Sequence, residues 1–164
     1  MRLSSLAWVA ALVVSSGHAQ LVPADPDWRE VEAPPPPAVK LDGLIPIEMP
    51  RSGLRFGVDP ASVAIGEDGI VRYVMVATSE SGAVNAIYEA IRCNTAEFRV
   101  YARYNPGSKW TIAKDSLWRP LQDSRHSLVI ARTGVCMGRA PNRPVAQILR
   151  DLRAPVDTRF EQQR

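Results

Sequence analysis

The residue types best suited to covalent chemistry are a cysteine flanked by glycines and a histidine ten positions before it. Gly134, Cys136 and Gly138 match the glycine-x-nucleophile-x-glycine form of a strained nucleophile elbow, and His126 is the conceivable base. This elbow is functional only between a strand and a helix of a parallel α/β sheet. Since the rest of the chain predicts antiparallel hairpins, we interpret Cys136 as a structural residue.

Two carboxylates offer a second kind of chemistry, the paired-acid cleavage of a glycosidic bond. Glu89 and Asp59 are the candidates, but nothing in the local sequence fixes their separation. Asp59 precedes Pro60, which is typical of an Asx-type turn. Glu89 lies three residues before Arg92 and is predicted to form a structural ion pair with it. An envelope hydrolase that uses Glu89 or His126 is therefore the alternative function.

The pattern that most favours binding is the polar face of a strand predicted over residues 97–104. Period-two alternation places Arg99, Tyr101 and Arg103 on one side, and neighbouring strands are expected to add Arg72 or Arg92 to that side. Adjacent arginine and aromatic groups suit an anionic polymer or the acidic segment of a partner protein. The simpler interpretation is a solvated face whose charges discourage edge pairing. The candidate binding surface comprises Arg99, Tyr101, Arg103, Arg92, Tyr88 and Glu89.

Cys93 and Cys136 are the two cysteines of the chain. An even pair in a small exported domain predicts a disulfide. Free thiols and a metal site are the alternatives. Beyond residue 19 the chain has one histidine, His126, and no C-x-x-C or H-x-x-H spacing, so neither a metal nor a cofactor is predicted.

The first nineteen residues have the organisation of a secretory signal peptide. Arg2 precedes an apolar run over residues 3–14, and small residues occupy the cleavage site that ends at Ala19. The apolar run is shorter than the roughly 20 residues that a membrane-spanning helix needs, and no second run follows. We expect a periplasmic or secreted protein, cleaved near Ala19, with no transmembrane anchor and no nucleic-acid partner.

Residues 20–43 form a proline-rich arm that contains the tetraproline 34–37. Proline favours the extended polyproline II form, so this arm has no core of its own. Residues 20–83 carry 5 basic and 10 acidic side chains, whereas residues 84–164 carry 14 basic and 7 acidic ones. This asymmetry predicts either an anionic partner for the basic half or an arm that lies across it. We favour an arm that straps the domain, with Trp28 as its anchor, over an arm that binds an aromatic groove elsewhere.

Residues 44–153 are long enough for one domain with one core, and residues 154–164 are predicted to be a polar tail. Asp68 and Gly69 predict a tight turn between strands over residues 62–65 and 70–77. Further strands are predicted over residues 97–104 and 110–113. Ser124 and Asn142 are predicted to cap two C-terminal helices.

Residues 83–92 fit helical spacing, because Val84, Ile87, Tyr88 and Ile91 recur at i, i+3, i+4 and i+7. We nevertheless predict a strand, because short links join this segment to strands on both sides. The predicted fold is therefore α+β: an antiparallel sheet of four to five strands in hairpins, two C-terminal helices on one face, and one disulfide.

Several short motifs are distributed along nearly the whole mature chain. They are Asp27-Trp28-Arg29-Glu30 before the prolines, Gly57-Val58-Asp59-Pro60, the run from Asp68 to Val74, Ser81-Gly82-Ala83-Val84-Asn85, Tyr88-Glu89 with Ile91-Arg92-Cys93, and Cys136 ahead of Gly138-Arg139-Ala140-Pro141-Asn142. In these motifs the chain resembles the cryptic neisserial protein-like family of exported proteobacterial proteins. The resemblance implies an envelope location and a single domain, and it brings no catalytic residue with it.

The sequence thus predicts an exported cell-envelope module with a binding or structural role and no catalytic activity. Its expected partner is an envelope protein or an anionic envelope polymer.

Overall fold

The structure, a computed structural model, describes residues 27–105, 107, 109–114 and 116–154. The predicted leader and the predicted tail beyond residue 154 lie outside these residues. The described β-strands and α-helices are, in chain order, β1 (Ile45–Ile47), β2 (Leu54–Val58), β3 (Ala64–Ile65), β4 (Val71–Ser79), β5 (Val84–Arg92), β6 (Glu97–Tyr104), β7 (Thr111–Ile112), β8 (Arg119–Pro120), α1 (Arg125–Ile130), β9 (Cys136–Met137), β10 (Ala140–Pro141) and α2 (Val145–Arg153). Short 3-10 helices span Pro60–Ser62 and Leu121–Asp123, and a π-helix spans Ala131–Val135.

One antiparallel sheet organises the domain, in the order β1-β2-β4-β5-β6-β7. The short strand β3 also pairs with β4, and β8 pairs with β6. Gly69 and Gly82 adopt positive φ angles of 75° and 82° in the turns that lead into β4 and β5. Only glycine adopts this backbone conformation without steric cost, so these residues punctuate the hairpins. The predicted α+β architecture is confirmed, although the sheet has eight strands within the described residues rather than the four to five predicted, because β1, β2 and β8 were not expected.

The ambiguous segment 83–92 forms β5, at the centre of the sheet. It pairs along most of its length with β4 on one side and β6 on the other. These two ladders satisfy its backbone groups and bury its side chains, which outweighs its helical spacing. The prediction of a strand is therefore confirmed.

The helices α1 and α2, with the π-helix Ala131–Val135 that follows α1, cover one face of the sheet. Ser124 caps α1 by accepting a hydrogen bond from the Ser127 amide, as predicted. The prediction that Asn142 caps α2 is wrong, because Pro144 occupies the N-cap position. Asn142 is instead buried, and its Nδ2 donates to the Gly134 carbonyl and to an Asp151 carboxylate oxygen. The apolar core beneath the helices joins α1 and α2 to β4, β5 and β6.

The opposite face of the sheet is apolar in its centre and is covered by the arm. Val74, Val76, Ala86, Tyr88 and Ala102 form a second buried cluster. From the described arm, Val39 packs against this cluster. The sheet is therefore the middle layer of three, between helices on one side and the arm on the other.

A disulfide joins Cys93, directly after β5, to Cys136 in β9, with the two Cα atoms 5.7 Å apart. The bridge ties the end of the central strand to the segment between the helices. The predicted disulfide is confirmed.

Candidate functional site

The predicted basic and aromatic face holds a carboxylate from the chain's own arm. Arg99 donates from Nη1 to one Glu30 oxygen at 2.7 Å, and the Tyr101 hydroxyl donates to the other at 2.6 Å. Trp118 donates its indole N–H to Glu30 at 3.0 Å, and Arg72 Nη2 lies 4.0 Å from Glu30 Oε1. We call Arg72, Arg99, Tyr101 and Trp118 the carboxylate clamp. A carboxylate that accepts several charge-assisted and neutral hydrogen bonds is strongly held.

Arginine groups beside the Tyr101 ring complete the clamp. The Arg99 and Arg72 guanidinium carbons lie 5.6 Å and 5.7 Å from the Tyr101 ring centroid. Burial, and then the hydrogen bond to Glu30, raises the pKa of the Tyr101 hydroxyl well above its ordinary value. Tyr101 therefore stays a protonated donor throughout the neutral range, as the clamp requires.

A second ion pair holds the backbone of the arm one residue further on. Asp68 Oδ2 accepts from the Val31 amide at 3.0 Å, and Arg72 Nη2 donates to the Val31 carbonyl at 2.9 Å. Arg72 also donates to Asp68 Oδ2 at 2.8 Å, so the two side chains form one unit. Together they present a donor and an acceptor to a single arm residue, much as the edge of a strand does.

Trp28 is the anchor of the described arm, as predicted. Its indole N–H donates to the Asp68 carbonyl at 3.0 Å. The Arg92 guanidinium carbon lies 3.7 Å from the Trp28 ring centroid, which is close for a cation–π contact. The arm groove is the surface that these contacts define, and its residues are Asp68, Arg72, Arg92, Arg99, Tyr101 and Trp118.

The prolines extend the contact toward β7. The Trp110 indole N–H donates to the Pro37 carbonyl at 2.8 Å, and the Trp110 ring packs edge-on against Tyr104. A cleft of about 630 Å³ opens between the prolines and the sheet, next to Tyr88, Arg99 and Tyr101. Neither Glu89 nor His126 lines this cleft.

Acidification is expected to loosen the arm through Asp68. Burial on its own raises the pKa of this carboxyl, but hydrogen bonds from Arg72 and from the Ile70 and Val31 amides lower the pKa below its ordinary value of 3.8. A group with a depressed folded-state pKa stabilises the fold above its unfolded-state pKa, and this contribution is lost as the pH falls through the folded-state value. We therefore expect the Trp28 indole resonance in nuclear magnetic resonance spectra to keep its position from neutral pH down to about 4 and to shift below it.

The Asp68→Asn variant is the control for this titration. It keeps the shape of the side chain but has no carboxyl to protonate. An unchanged acid transition in that variant would contradict the assignment to Asp68.

A family model decides the relationship of this chain to known proteins. The CNP1-like family model matches residues 23–153. The chain belongs to the CNP1-like family. The predicted cryptic neisserial protein-like relationship is thereby confirmed. No curated protein and no solved structure matches the chain.

The matched range of this CNP1-like protein includes the described arm as well as the whole sheet and both helices. Glu30, Trp28 and every residue of the arm groove lie within it. The arm and the domain are therefore one family unit rather than a domain with an unrelated extension.

Arg103 does not join the arm groove, which corrects the predicted surface. The register between β5 and β6 shifts at a bulge in β6: Glu89 faces Val100 and Tyr88 faces Ala102, so Tyr101 is the extra residue. Beyond this bulge the alternation reverses. Arg103 pairs with Ile87 and lies, exposed, on the side of the sheet that the helices cover elsewhere.

Glu89 belongs to the helical side of the sheet, and its predicted ion pair with Arg92 is wrong. The Glu89 side chain is fully buried and accepts hydrogen bonds from the hydroxyls of Tyr73 and Ser127. His126 Nε2 lies 3.2 Å from its second oxygen. Arg92 instead contacts Trp28, and its Nη1 lies 3.8 Å from Glu97.

The other residues considered for catalysis have structural contacts. Cys136 is bridged to Cys93, so its sulfur is not a free nucleophile. Asp59 caps a short 3-10 helix by accepting from the Ala61 amide at 2.9 Å, which fits the predicted turn. Among the described residues, no three histidine, cysteine, aspartate or glutamate side chains come together in a group that could hold a metal ion.

No helix within residues 27–154, as far as the structure describes them, has the length and apolar character needed to cross a bilayer.

Glu30, Asp68 and Trp118 are the groove contacts that the sequence analysis missed. A signal for Glu30 was present in its spacing, since Trp28 and Glu30 are two residues apart and share one side of an extended chain. The acidic bias of the arm and the basic bias of the domain were a second signal. Trp118 comes from an irregular segment before β8, where no periodicity points to a side.

Proposed function

We propose that this CNP1-like protein is an exported, non-catalytic binding module of the cell envelope, whose arm groove holds an anionic segment of an envelope partner. The leader supports export, and cleavage near Ala19 would release the arm and domain together into the periplasm or the medium. The partner is an envelope protein or an anionic envelope polymer. In the free protein the arm occupies the groove in its place.

The carboxylate clamp is the observation that carries this proposal. Two cationic side chains, a phenol and an indole converge on one carboxylate, and two strands and the segment before β8 supply them. The Arg72 side chain is 5% exposed. Its guanidinium is paired with the Asp68 carboxylate at 2.8 Å, so the fold itself holds this cation of the clamp in place.

Co-purification with envelope material tests the proposal. The mature chain carrying Glu30→Gln, which weakens the cis occupant, is compared with the same chain carrying Arg99→Ala or Arg103→Ala in addition. We expect Arg99→Ala to remove at least about nine-tenths of the captured envelope partner, because a charge-assisted contact is worth more than about 1.4 kcal/mol. Arg103→Ala removes the same charge from outside the groove, so capture is expected to persist. Equal capture by both variants would contradict the proposal.

The alternative is an envelope hydrolase, and the observation that favours it is the approach of His126 to Glu89 and to the Ser124 hydroxyl, 3.3 Å from the imidazole. Release of soluble fragments from purified peptidoglycan by the mature protein, abolished by His126→Ala, would replace the binding proposal with this one.

A further inference from the structure

We propose that the arm groove recognises an extended acidic segment of a partner protein in which an aromatic residue stands two positions before a glutamate, the pattern that the arm itself presents. This inference rests on the proposed binding function and specifies its partner. The arm is then the built-in competitor that such a segment displaces.

The spacing of the pattern follows from the conformation of the arm. Trp28 and Glu30 are partly buried against the sheet, while Arg29 and Val31 are exposed. This alternation is that of an extended chain, in which residues two apart share a side. A ligand therefore needs its aromatic group and its carboxylate at positions i and i+2, and the residue between them is free to vary.

The backbone contact fixes the register of the ligand. The Val31 amide donates a hydrogen bond to Asp68, and the Val31 carbonyl accepts one from Arg72. Every residue has both of these backbone groups except proline, which has no amide N–H. The groove therefore accepts almost any residue after the glutamate and holds the chain in place by its backbone. Peptide-binding sheets combine backbone bonds with side-chain pockets in the same way.

Side-chain contacts hold the described part of the arm, since residues 27–40 form no strand and pair with none in the sheet. Displacement therefore leaves every ladder of the sheet intact. The arm does not satisfy every donor of the groove. In the part of the chain that the structure describes, the buried Nε atoms of Arg72 and Arg99 have no hydrogen-bond partner. Unpaired buried donors weaken the cis complex, so a segment that supplies further acceptors has an advantage over the arm.

A labelled peptide with the sequence of residues 27–40 is the probe, with fluorescein on the side chain of Lys40. The arm competes with the peptide for the groove at an effective concentration near the millimolar range, because the arm and the groove belong to one chain. Substitutions that weaken the arm's contacts are therefore needed to expose the groove. We expect the mature chain carrying Trp28→Ala and Glu30→Gln to bind the peptide at least about tenfold more tightly than the unmodified chain. Adding Arg99→Ala should abolish that binding, and adding Arg103→Ala should not.

Peptide variants test the pattern itself. Glu30→Gln and Glu32→Gln remove the same charge, but Glu30 contacts the clamp and Glu32 is exposed. We expect the Glu30→Gln and Trp28→Ala peptides to bind at least about tenfold more weakly than the parent, and the Glu32→Gln peptide to bind as well as the parent. Equal binding of the Glu30→Gln and Glu32→Gln peptides, or of the Trp28→Ala peptide and the parent, would overturn the inference.

Polyglutamate separates failure of this inference from failure of the proposed function. We call the chain that carries Trp28→Ala and Glu30→Gln the loosened protein. If polyglutamate binds this protein through Arg99 while all the peptide variants bind equally well, the groove is an anion site without this specificity. If neither probe binds, both proposals are overturned, and the arm is a permanent part of the fold. Should the loosened protein fail to fold, the Trp28 indole resonance of the unmodified chain is followed at millimolar peptide. Its displacement supports the inference, and its constancy overturns it.

Discussion

Replacing Glu89 with alanine is expected to lower the free energy of unfolding by about 3–5 kcal/mol, because removing one partner of a buried polar group leaves the others unsatisfied. The Tyr73 and Ser127 hydroxyls both donate to this carboxylate in a region closed to solvent. Burial, and then the charge of Glu89, raises the pKa of Tyr73 well above its ordinary value, so Tyr73 remains a donor. The substitution also leaves a cavity beneath α1.

Urea unfolding followed by circular dichroism measures this effect. Glu80→Ala is the control, since Glu80 is exposed in the turn before β5 and its loss should change stability by less than about 0.5 kcal/mol. Tyr73→Phe removes one donor and keeps the carboxylate, so it should cost about 1.5–3 kcal/mol. A Glu89→Ala protein as stable as the Glu80→Ala control would show that the buried cluster does not support the fold.

Loss of the disulfide is the second large effect. The bridge joins residues 43 positions apart, and the loop-entropy relation gives about 4 kcal/mol for a loop of this length. A protein of this size has a net stability of roughly 5–15 kcal/mol, so the bridge is a major part of it. We expect the Cys93→Ser/Cys136→Ser variant to unfold at much lower urea concentration than the oxidised protein.

The reductant dependence provides the control for this prediction. Adding reductant should shift the oxidised protein to the urea midpoint of the double variant and leave the double variant unchanged. If the two oxidation states unfold at the same midpoint, the bridge contributes nothing that the packing does not already provide.

The sequence was sufficient for the α+β class, the disulfide and the family, because each depends on local or pairwise signals. It did not predict strands β1 and β2, which are short and pair at the edge of the sheet. Asp68 and Gly69 predicted their turn, and Cys93 and Cys136 had no other partners in the chain. Strand β5 was predicted against its helical spacing, from the short links to its neighbours. Its outcome illustrates how pairing on two sides overrides intrinsic propensity.

The site was predicted only in part, because its geometry depends on contacts between distant segments. Arg99 and Tyr101 were correctly placed together by alternation. The prediction for Arg103 was wrong, because the bulge opposite Glu89 reverses the alternation of β6. No residue type in this strand predicts a bulge. Glu89 was paired with Arg92 by proximity in sequence, but successive positions along a strand alternate between faces, and three residues apart they lie on opposite sides.

The covered second face had a signal that alternation alone overlooks. Strand β4 is apolar at Val74 and Val76 as well as at Val71 and Met75, so it has apolar residues on both faces. A strand of this kind is buried on both sides. Within the part of the chain that the structure describes, the arm lies on this second face, and its acidic bias complements the basic bias of the domain.

A double-mutant cycle between Glu30 and Arg99 tests most directly whether the arm's carboxylate occupies the clamp. The free energy of unfolding is measured for the mature chain, for Glu30→Gln, for Arg99→Ala and for the pair, with Glu32→Gln in place of Glu30→Gln as the matched control cycle. Both side chains of the ion pair are less than a third exposed, so we predict a coupling energy of at least about 1 kcal/mol for Glu30 and close to zero for Glu32. A coupling energy near zero for Glu30, or equal values in the two cycles, would contradict the account.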